Sequence, residues 1–357
     1  MTLVRMIAGW VAAVTLVQAA PGDLVLPTEN RHLLSGEPEK FYMYVDRTFE
    51  GETSKPWEGG SFGYVRTPVR VNGEVVYRQF HEGIDIAPVK RDKAGNPLDL
   101  VSSISAGTVV HVSGVAGRSN YGKYVVVEHR WEDSPVVSLY AHLADITCKV
   151  GDEVKAGGLL GRMGYTGAGI NRTRAHLHLE LGLLMSTRYE DWHRATGKGL
   201  NHHGNYNGMN FAGADVAGYF LACQKDPGLK FSDYVTRTPV HFKVAVPGGS
   251  VPDLVRRYPW LLAAPQPEGM EAAAWEISLS ATGLPVRVAA SDVKVEGPVL
   301  TQIRPSEVPH RFLTRNLVTG EGHKASLTQG GEELVALLTD AFGDAVAARP
   351  REGGGTL

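Results

Sequence analysis

Five side chains have types and spacings suited to holding a metal ion and moving protons. His81 and Asp85 stand four apart in Phe80-His81-Glu82-Gly83-Ile84-Asp85-Ile86. On a fully extended strand that spacing leaves them on one face but about 13 Å apart. Gly83 permits a bend that brings imidazole and carboxylate onto one ion. In Ala175-His176-Leu177-His178-Leu179-Glu180-Leu181 the alternation is strict. It puts His176, His178 and Glu180 on one strand face and the three leucines on the other. The leucines anchor the strand in a core, and the histidines face a cleft or the sheet's open side. Two histidines at i, i+2 on a strand with an apolar back are a frequent zinc arrangement. His142 ends the apolar run Ser138-Leu139-Tyr140-Ala141 just before a polar turn, where a side chain can be aimed into a groove. The chain has 2 cysteines, Cys148 and Cys223. They are too few for a Cys-rich zinc site, so a metal here must use histidine and carboxylate. They permit one disulfide in an exported chain, or stand as two separate buried thiols.

The elements that must position these residues read as strands and turns. Thr108 to Val112, Lys123 to His129 and Val136 to His142 are short runs rich in Val and Tyr, bounded by Gly, Asn, Asp or Pro. Lys149 to Val154 reads as a tight hairpin around Gly151-Asp152. A dense glycine series from Gly157 to Gly169 suits β-turns and offers no helix. Residues 100–182 hold no sustained helical periodicity, so an antiparallel β domain is expected. Residues 183–230 mix polar loop with one short helix. Beyond about residue 235, His241 to Val246, Ala274 to Ser280 and Val286 to Ala290 read as strands. Val251 to Ala264 reads as a helix opened by Pro252. Glu332 to Ala348 is the strongest helical pattern, with Leu334, Leu337, Leu338, Ala341 and Phe342 on one face.

Five motifs stand in order along residues 61–182. They are His81-Glu82-Gly83-Ile84-Asp85; Tyr121-Gly122-Lys123-Tyr124-Val125 through His129; Tyr140-Ala141-His142-Leu143; Val150-Gly151-Asp152-Glu153-Val154; and the glycine-rich run from Gly161 into His176-Leu177-His178-Leu179-Glu180. This combination resembles the lysostaphin-type (LytM-like) zinc metallopeptidases, which hydrolyse peptide bonds in bacterial cell-wall peptidoglycan. The resemblance covers about a third of the chain. It implies that His81, Asp85 and His178 hold one Zn²⁺, and that His142 and His176 line the cleft as catalytic residues. Three protein ligands leave a catalytic zinc one open position. Two neutral histidines and one carboxylate leave the site with net positive charge, enough to acidify a water and polarise a carbonyl. The other two histidines suit proton transfer and hydrogen bonding to an oxyanion; which of them is the base stays open. Glu180 either orients a ligand from behind or is a solvated or salt-bridged carboxylate. His111, His129, His202 and His203 are expected to be structural, surface or loop residues. The chain departs from the family pattern in an insert at Val89 to Leu100, expected as a surface hairpin. It departs again in Arg172 and Arg174 before the His pair, and in the long segment 183–223, whose stretch Asn201 to Gly208 could wall the groove.

The 357 residues are 43% hydrophobic and 21% charged, with a formal charge of −2. Those values exclude wholesale disorder and a polytopic membrane protein, and a nucleic-acid partner lacks its electrostatic footprint. Arg5 and the apolar stretch Met6 to Val17, followed by Val17-Gln18-Ala19, read as a signal peptide too short to span a bilayer. The expected organisation is a signal peptide over 1–19, a polar, irregular N-terminal arm over 20–60 and a mainly β LytM-like peptidase domain of the duplicated hybrid motif type over 61–230. A small α+β domain over 235–348 and a disordered tail over 349–357 follow. The expected protein is an exported zinc endopeptidase, periplasmic or extracellular, free of the membrane after signal removal, with peptidoglycan peptide cross-links as substrate. Two other readings are a zinc peptidase with a non-wall protein substrate and an inactive LytM-like activator of a wall amidase. Relatives of the last sort lose metal ligands, which are all present here.

Overall fold

The computed structural model describes residues 23–267 and 269–342. The expected signal peptide and C-terminal tail lie outside these residues. Gly63–Val71 (β1) and Glu74–His81 (β2) form a two-stranded hairpin. Ile84–Ile86 (β3) follows two residues later. Gly107–Ser113 (β4), Tyr124–Trp131 (β5), Ser134–Ala141 (β6), Glu153–Val154 (β7), Leu177–Leu184 (β8) and Phe211–Gly213 (β9) complete an antiparallel sheet. Its order is β7-β4-β5-β6-β8-β9, and β3 pairs with β8 on the same side as β9. A smaller antiparallel sheet, Leu143–Ile146, Leu159–Met163 and Leu100–Ser102, stands beside it.

β8 is the axis of the site. Leu177, Leu179, Leu181 and Leu183 are buried on one face, within the main core. The opposite face, expected as a cleft or the sheet's open side, is covered, and His178 and Glu180 are buried on it. That side of the sheet carries its own apolar cluster, in which Tyr124, Val126, Leu139 and Phe211 pack with Tyr121 and Tyr206. Tyr206 belongs to the stretch expected as a groove wall; it lies on the sheet, and its carbonyl accepts from the Tyr124 hydroxyl at 3.2 Å.

Four local expectations differ from the structure. Residues 23–60 are no loose arm: Leu26, Leu33 and Phe41 enter the main core. The Met43 amide donates to the Asp85 carbonyl at 2.8 Å, and Tyr42 pairs with Ile86. Prolines and the lack of periodicity hid these apolar residues from pattern reading. Residues 149–154 form a turn with Gly151 at φ +92°, and β7 then pairs with β4 instead of folding back on Lys149. Pro259 divides the expected helix at 251–264 into Asp253–Arg257 and a 3-10 turn, Pro259–Leu261. The last helix, Gln329–Thr339 (α1), starts at a Thr328 cap, earlier than the expected Glu332, and ends at Asp340 in the left-handed conformation; residues 343–348 of the expected helix lie outside the described residues.

Phe242–Gly249 (β10), Ala272–Leu279 (β11), Pro285–Ser291 (β12) and Val299–Ile303 (β13) form a four-stranded antiparallel sheet of order β12-β11-β10-β13. Its apolar residues merge with those of β8 into one core. The Tyr258 hydroxyl ties this unit to the first sheet, accepting from the Leu184 amide at 2.8 Å and donating to the Pro135 carbonyl at 2.7 Å. Cys148 and Cys223 are both free thiols, half-buried, so the permitted disulfide is not formed.

Candidate metal centre

Strand register brings the chemistry together. His178 lies opposite Asp85 on β3 and opposite Ala141 on β6, so Asp85, His178 and the start of His142 fall in one row across three strands. His81 ends β2, and Gly83 bends the chain from it into β3. A Cβ at Gly83 would meet the Leu179 carbonyl oxygen at 2.4 Å, so the sharp turn needs glycine for space. His176 bridges to Gly164 just before β8 begins. His142 leaves β6 at φ +63°, a left-handed conformation uncommon outside glycine. Its amide donates to the Tyr121 carbonyl at 2.9 Å, which holds that conformation and aims the ring at the row.

Each ring is oriented from behind. Carbonyl oxygens only accept, so a ring nitrogen facing one must carry the proton. His81 Nδ1 donates to Ser61 O at 2.8 Å, His142 Nδ1 to Thr166 O at 2.8 Å and His176 Nδ1 to Arg174 O at 2.6 Å. With Nδ1 committed in this way, Nε2 is the atom each ring turns toward the cluster. His178 is reversed: its Nε2 donates to Glu180 Oε1 at 2.9 Å, and its Nδ1 faces inward. Glu180 also accepts from the Tyr121 hydroxyl at 2.6 Å. Of the two roles open to Glu180, its geometry is that of a residue orienting a ligand from behind.

His81 Nε2, Asp85 Oδ1 and His178 Nδ1 form a triangle with sides of 3.1, 3.0 and 3.2 Å. Ligands about 2.0–2.1 Å from a tetrahedral zinc lie roughly 3.3 Å apart, so the triangle fits one face of such a site. Among the described residues this is the one group of three His, Cys, Asp or Glu able to hold a metal together. All three are buried. His176 Nε2 lies 3.4 Å from Asp85 Oδ1, and the His142 ring stands 4.7 Å from that of His176 and 5.7 Å from that of His178, centre to centre.

Electrostatics follow from this packing. Burial opposes ionisation of Asp85, but His176 and His81 outweigh it and hold the carboxyl well below its usual range. Burial likewise opposes charge on His178, yet hydrogen bonds to Asp85 and Glu180 carry its pKa up to about 10. Burial, then the neighbouring His176 and His178, hold His142 well below the ordinary histidine value, so it is neutral at pH 7. A cation at the triangle would take the place of the inward proton of His178, and the donor set fits one.

Two residues with roles here were not singled out by type and spacing. Arg66 on β1 donates to Asp85 Oδ2 at 2.5 Å and to Gly59 O at 2.8 Å. Tyr121 sits in a recognised motif, but only the fold pairs it with Glu180. His111, His129 and His203 lie outside the cluster. His129 is buried between Ala106 O and Ser138 Oγ, and His111 packs against Tyr124, His203 and Tyr206. The insert at 89–100 docks on the turn before His176, where Arg91 donates to the carbonyls of Arg172 and Thr173 at 2.8 and 3.3 Å.

Residues 79–188 match the model of peptidase family M23. The chain is 34% identical to lysostaphin of Staphylococcus staphylolyticus and to lysostaphin of Staphylococcus simulans, over 119 residues in each case. Residues 79–188 are thus similar to the lysostaphin-type M23 peptidases. The alignment covers 33% of this chain and 21% and 20% of the two lysostaphins, so it spans about a fifth of their length. Among solved structures, the chain is similar to a zinc-containing peptidase from Vibrio cholerae (29% identity, 40% of this chain and 36% of that one, TM-score 0.25). It is also similar to the catalytic domain of lysostaphin from Staphylococcus simulans (24% identity, 48% and 99%, TM-score 0.28). The M23 segment begins inside β2 and ends just past β8, so it contains all five candidate residues and excludes Arg66 and residues 189–357.

Proposed function

We propose that this chain is an exported zinc-dependent endopeptidase that hydrolyses peptide bonds in bacterial peptidoglycan. The observation that carries the reading is the convergence of His81 Nε2, Asp85 Oδ1 and His178 Nδ1 on one point, with His176 Nε2 3.4 Å from Asp85 Oδ1 and the His142 ring packed against those of His176 and His178. Membership of residues 79–188 in the M23 family supports a peptidase, and likeness to lysostaphin supports a cell-wall substrate. Export rests on Arg5 and the apolar stretch Met6 to Val17.

His81, Asp85 and His178 would hold the ion. Bound zinc supplies Lewis acidity and a water of lowered pKa. His142 is neutral at pH 7, and its Nδ1–H is committed to Thr166 O, so Nε2 is free to accept a proton from an attacking water and return it to the leaving amine. His176 is built the same way on Arg174 O. Once protonated, either ring can donate to the oxygen that gathers charge as the amide carbonyl is attacked. Burial of the whole cluster strengthens each of these interactions.

The test is mass spectrometry of soluble products after mature, zinc-loaded protein digests purified peptidoglycan. New muropeptides establish hydrolysis, and their masses name the bond. A protein that holds zinc yet releases none, from peptidoglycan or from peptides, would overturn the enzymatic reading in favour of an inactive activator.

A further inference from the structure

The β1–β2 hairpin lies at the margin of the M23 match yet supplies much of the metal centre. His81 ends β2, and Ser61, whose carbonyl fixes the His81 tautomer, immediately precedes Phe62 and β1. Arg66 occupies Asp85 Oδ2 and so reserves Oδ1 for the inward face. A two-stranded hairpin is marginal on its own and needs an outside support to hold a side chain to a fraction of an ångström.

That support comes from residues 281–315. The Tyr64 hydroxyl accepts from the Arg315 amide at 2.7 Å and donates to the Ala281 carbonyl at 3.3 Å. Tyr64 pairs with Phe80, the residue before His81, and the rings lie 5.4 Å apart. The Arg315 guanidinium stands over the Phe80 ring, 5.0 Å from its centre. At the hairpin tip, Asn72 Nδ2 donates to the Glu307 carbonyl at 3.3 Å. Arg315 and Asn316 are both left-handed, at φ +53° and +59°. Two consecutive non-glycine residues in that region are costly and persist where surrounding contacts over-determine them.

We propose that the C-terminal unit is a buttress of the metal centre and that Tyr64 is its positioning residue: through Tyr64, residues 281 and 315 hold β1 and β2 in the register that places His81 on the ion. The inference rests on the zinc reading above. It gives residues 235–342 a role in metal retention, although they lie outside the M23 segment.

The experiment uses the full chain with four proteins: wild type, Tyr64→Phe, Tyr77→Phe and His81→Ala. Tyr77→Phe is the control, because its hydroxyl lies on the same hairpin but contacts Ser54. Zinc affinity is measured by competition with a chromophoric chelator, and ligand geometry by the visible spectrum of the cobalt(II) form. Thermal stability is followed in excess chelator. Tyr64→Phe is expected to weaken zinc binding about tenfold, the scale of a lost orienting contact behind a ligand, and to alter the cobalt bands. Tyr77→Phe is expected to match wild type in both. A purely structural Tyr64 would lower thermal stability but leave zinc affinity and cobalt spectrum unchanged, and that result overturns the inference. If His81→Ala also binds zinc like wild type, the metal-centre reading itself fails; if only His81→Ala loses zinc, that reading stands and the buttress falls.

Discussion

Raising the pH from 7 to 9 should tighten zinc binding about a hundredfold. His178 carries the argument. It lies between two buried carboxylates, Asp85 Oδ1 at 3.0 Å from Nδ1 and Glu180 Oε1 at 2.9 Å from Nε2. That arrangement carries its pKa up to about 10 against the opposing effect of burial. Below that pH a proton holds Nδ1, the atom a metal needs, and must leave for the metal to bind. At pH 7 the competition costs about three pH units, roughly 4 kcal/mol, and it falls about tenfold in affinity terms for each unit up to pH 10. A histidine at its reference pKa near 6.5 would instead show affinity levelling off above pH 7. Chelator competition at pH 7, 8 and 9 measures the slope. Calorimetry at pH 8 in buffers of different ionisation enthalpy should count about one proton released per zinc. Glu180→Gln keeps an acceptor for His178 and Tyr121 but removes the charge, so its slope should flatten at lower pH. Affinity that is flat between pH 7 and 9 in the wild type would refute the reasoning.

Three further outcomes are expected. His178→Ala should lose zinc and turnover together, whereas His142→Ala should keep zinc, read by metal analysis, and lose at least about a hundredfold in turnover; an active His142→Ala protein would end its assignment as a catalytic residue. Gly83→Ala would place its Cβ 2.4 Å from Leu179 O and 2.9 Å from Glu180 Cγ, which should lower stability by about 1–3 kcal/mol in denaturant titration and weaken zinc binding. His129 is buried and its pKa is pushed down to about 4, chiefly by burial. The unfolded chain therefore takes up its proton first as pH falls below 6.5. Stability fully present above that pH should drop by roughly 3 kcal/mol by pH 4, and His129→Gln should show a flatter profile in urea unfolding.

The candidate site was readable from sequence because its information is local and periodic. Strict alternation at 176–181 assigns faces to six residues, and the structure places His178 and Glu180 opposite the three leucines as that period requires. The bend at Gly83 was inferable from a glycine between two ligand types. What could not be read depends on contacts between residues distant in sequence. Arg66 is an unremarkable arginine in a strand until β1 lies beside Asp85. Leu26, Leu33 and Phe41 carry no period, and their burial follows from the edge that β3 offers to Tyr42 and Met43. The Val251 to Ala264 pattern promised one helix because a period reports which face is apolar, whereas Pro259 decides where hydrogen bonding stops.

The same contrast explains how the chain divides its labour. The candidate ligands and candidate catalytic residues lie within the 110 consecutive positions that match a family model. The groups that orient them divide into two sets. Thr166, Arg174 and Glu180 lie within the matched segment and come with that fold, whereas Ser61 acts on His81 from just before β1, outside it. Arg66 and Tyr64 act through a hairpin that reaches into the C-terminal unit, and their influence depends on docking between distant segments. A ligand triangle with sides near 3 Å tolerates little drift, because half an ångström at one corner forfeits the tetrahedral geometry. The residues most exposed to such drift are those on the least supported element, which here is His81 at the end of β2. Loss of zinc should therefore begin at His81 rather than at His178, whose strand is paired on both sides.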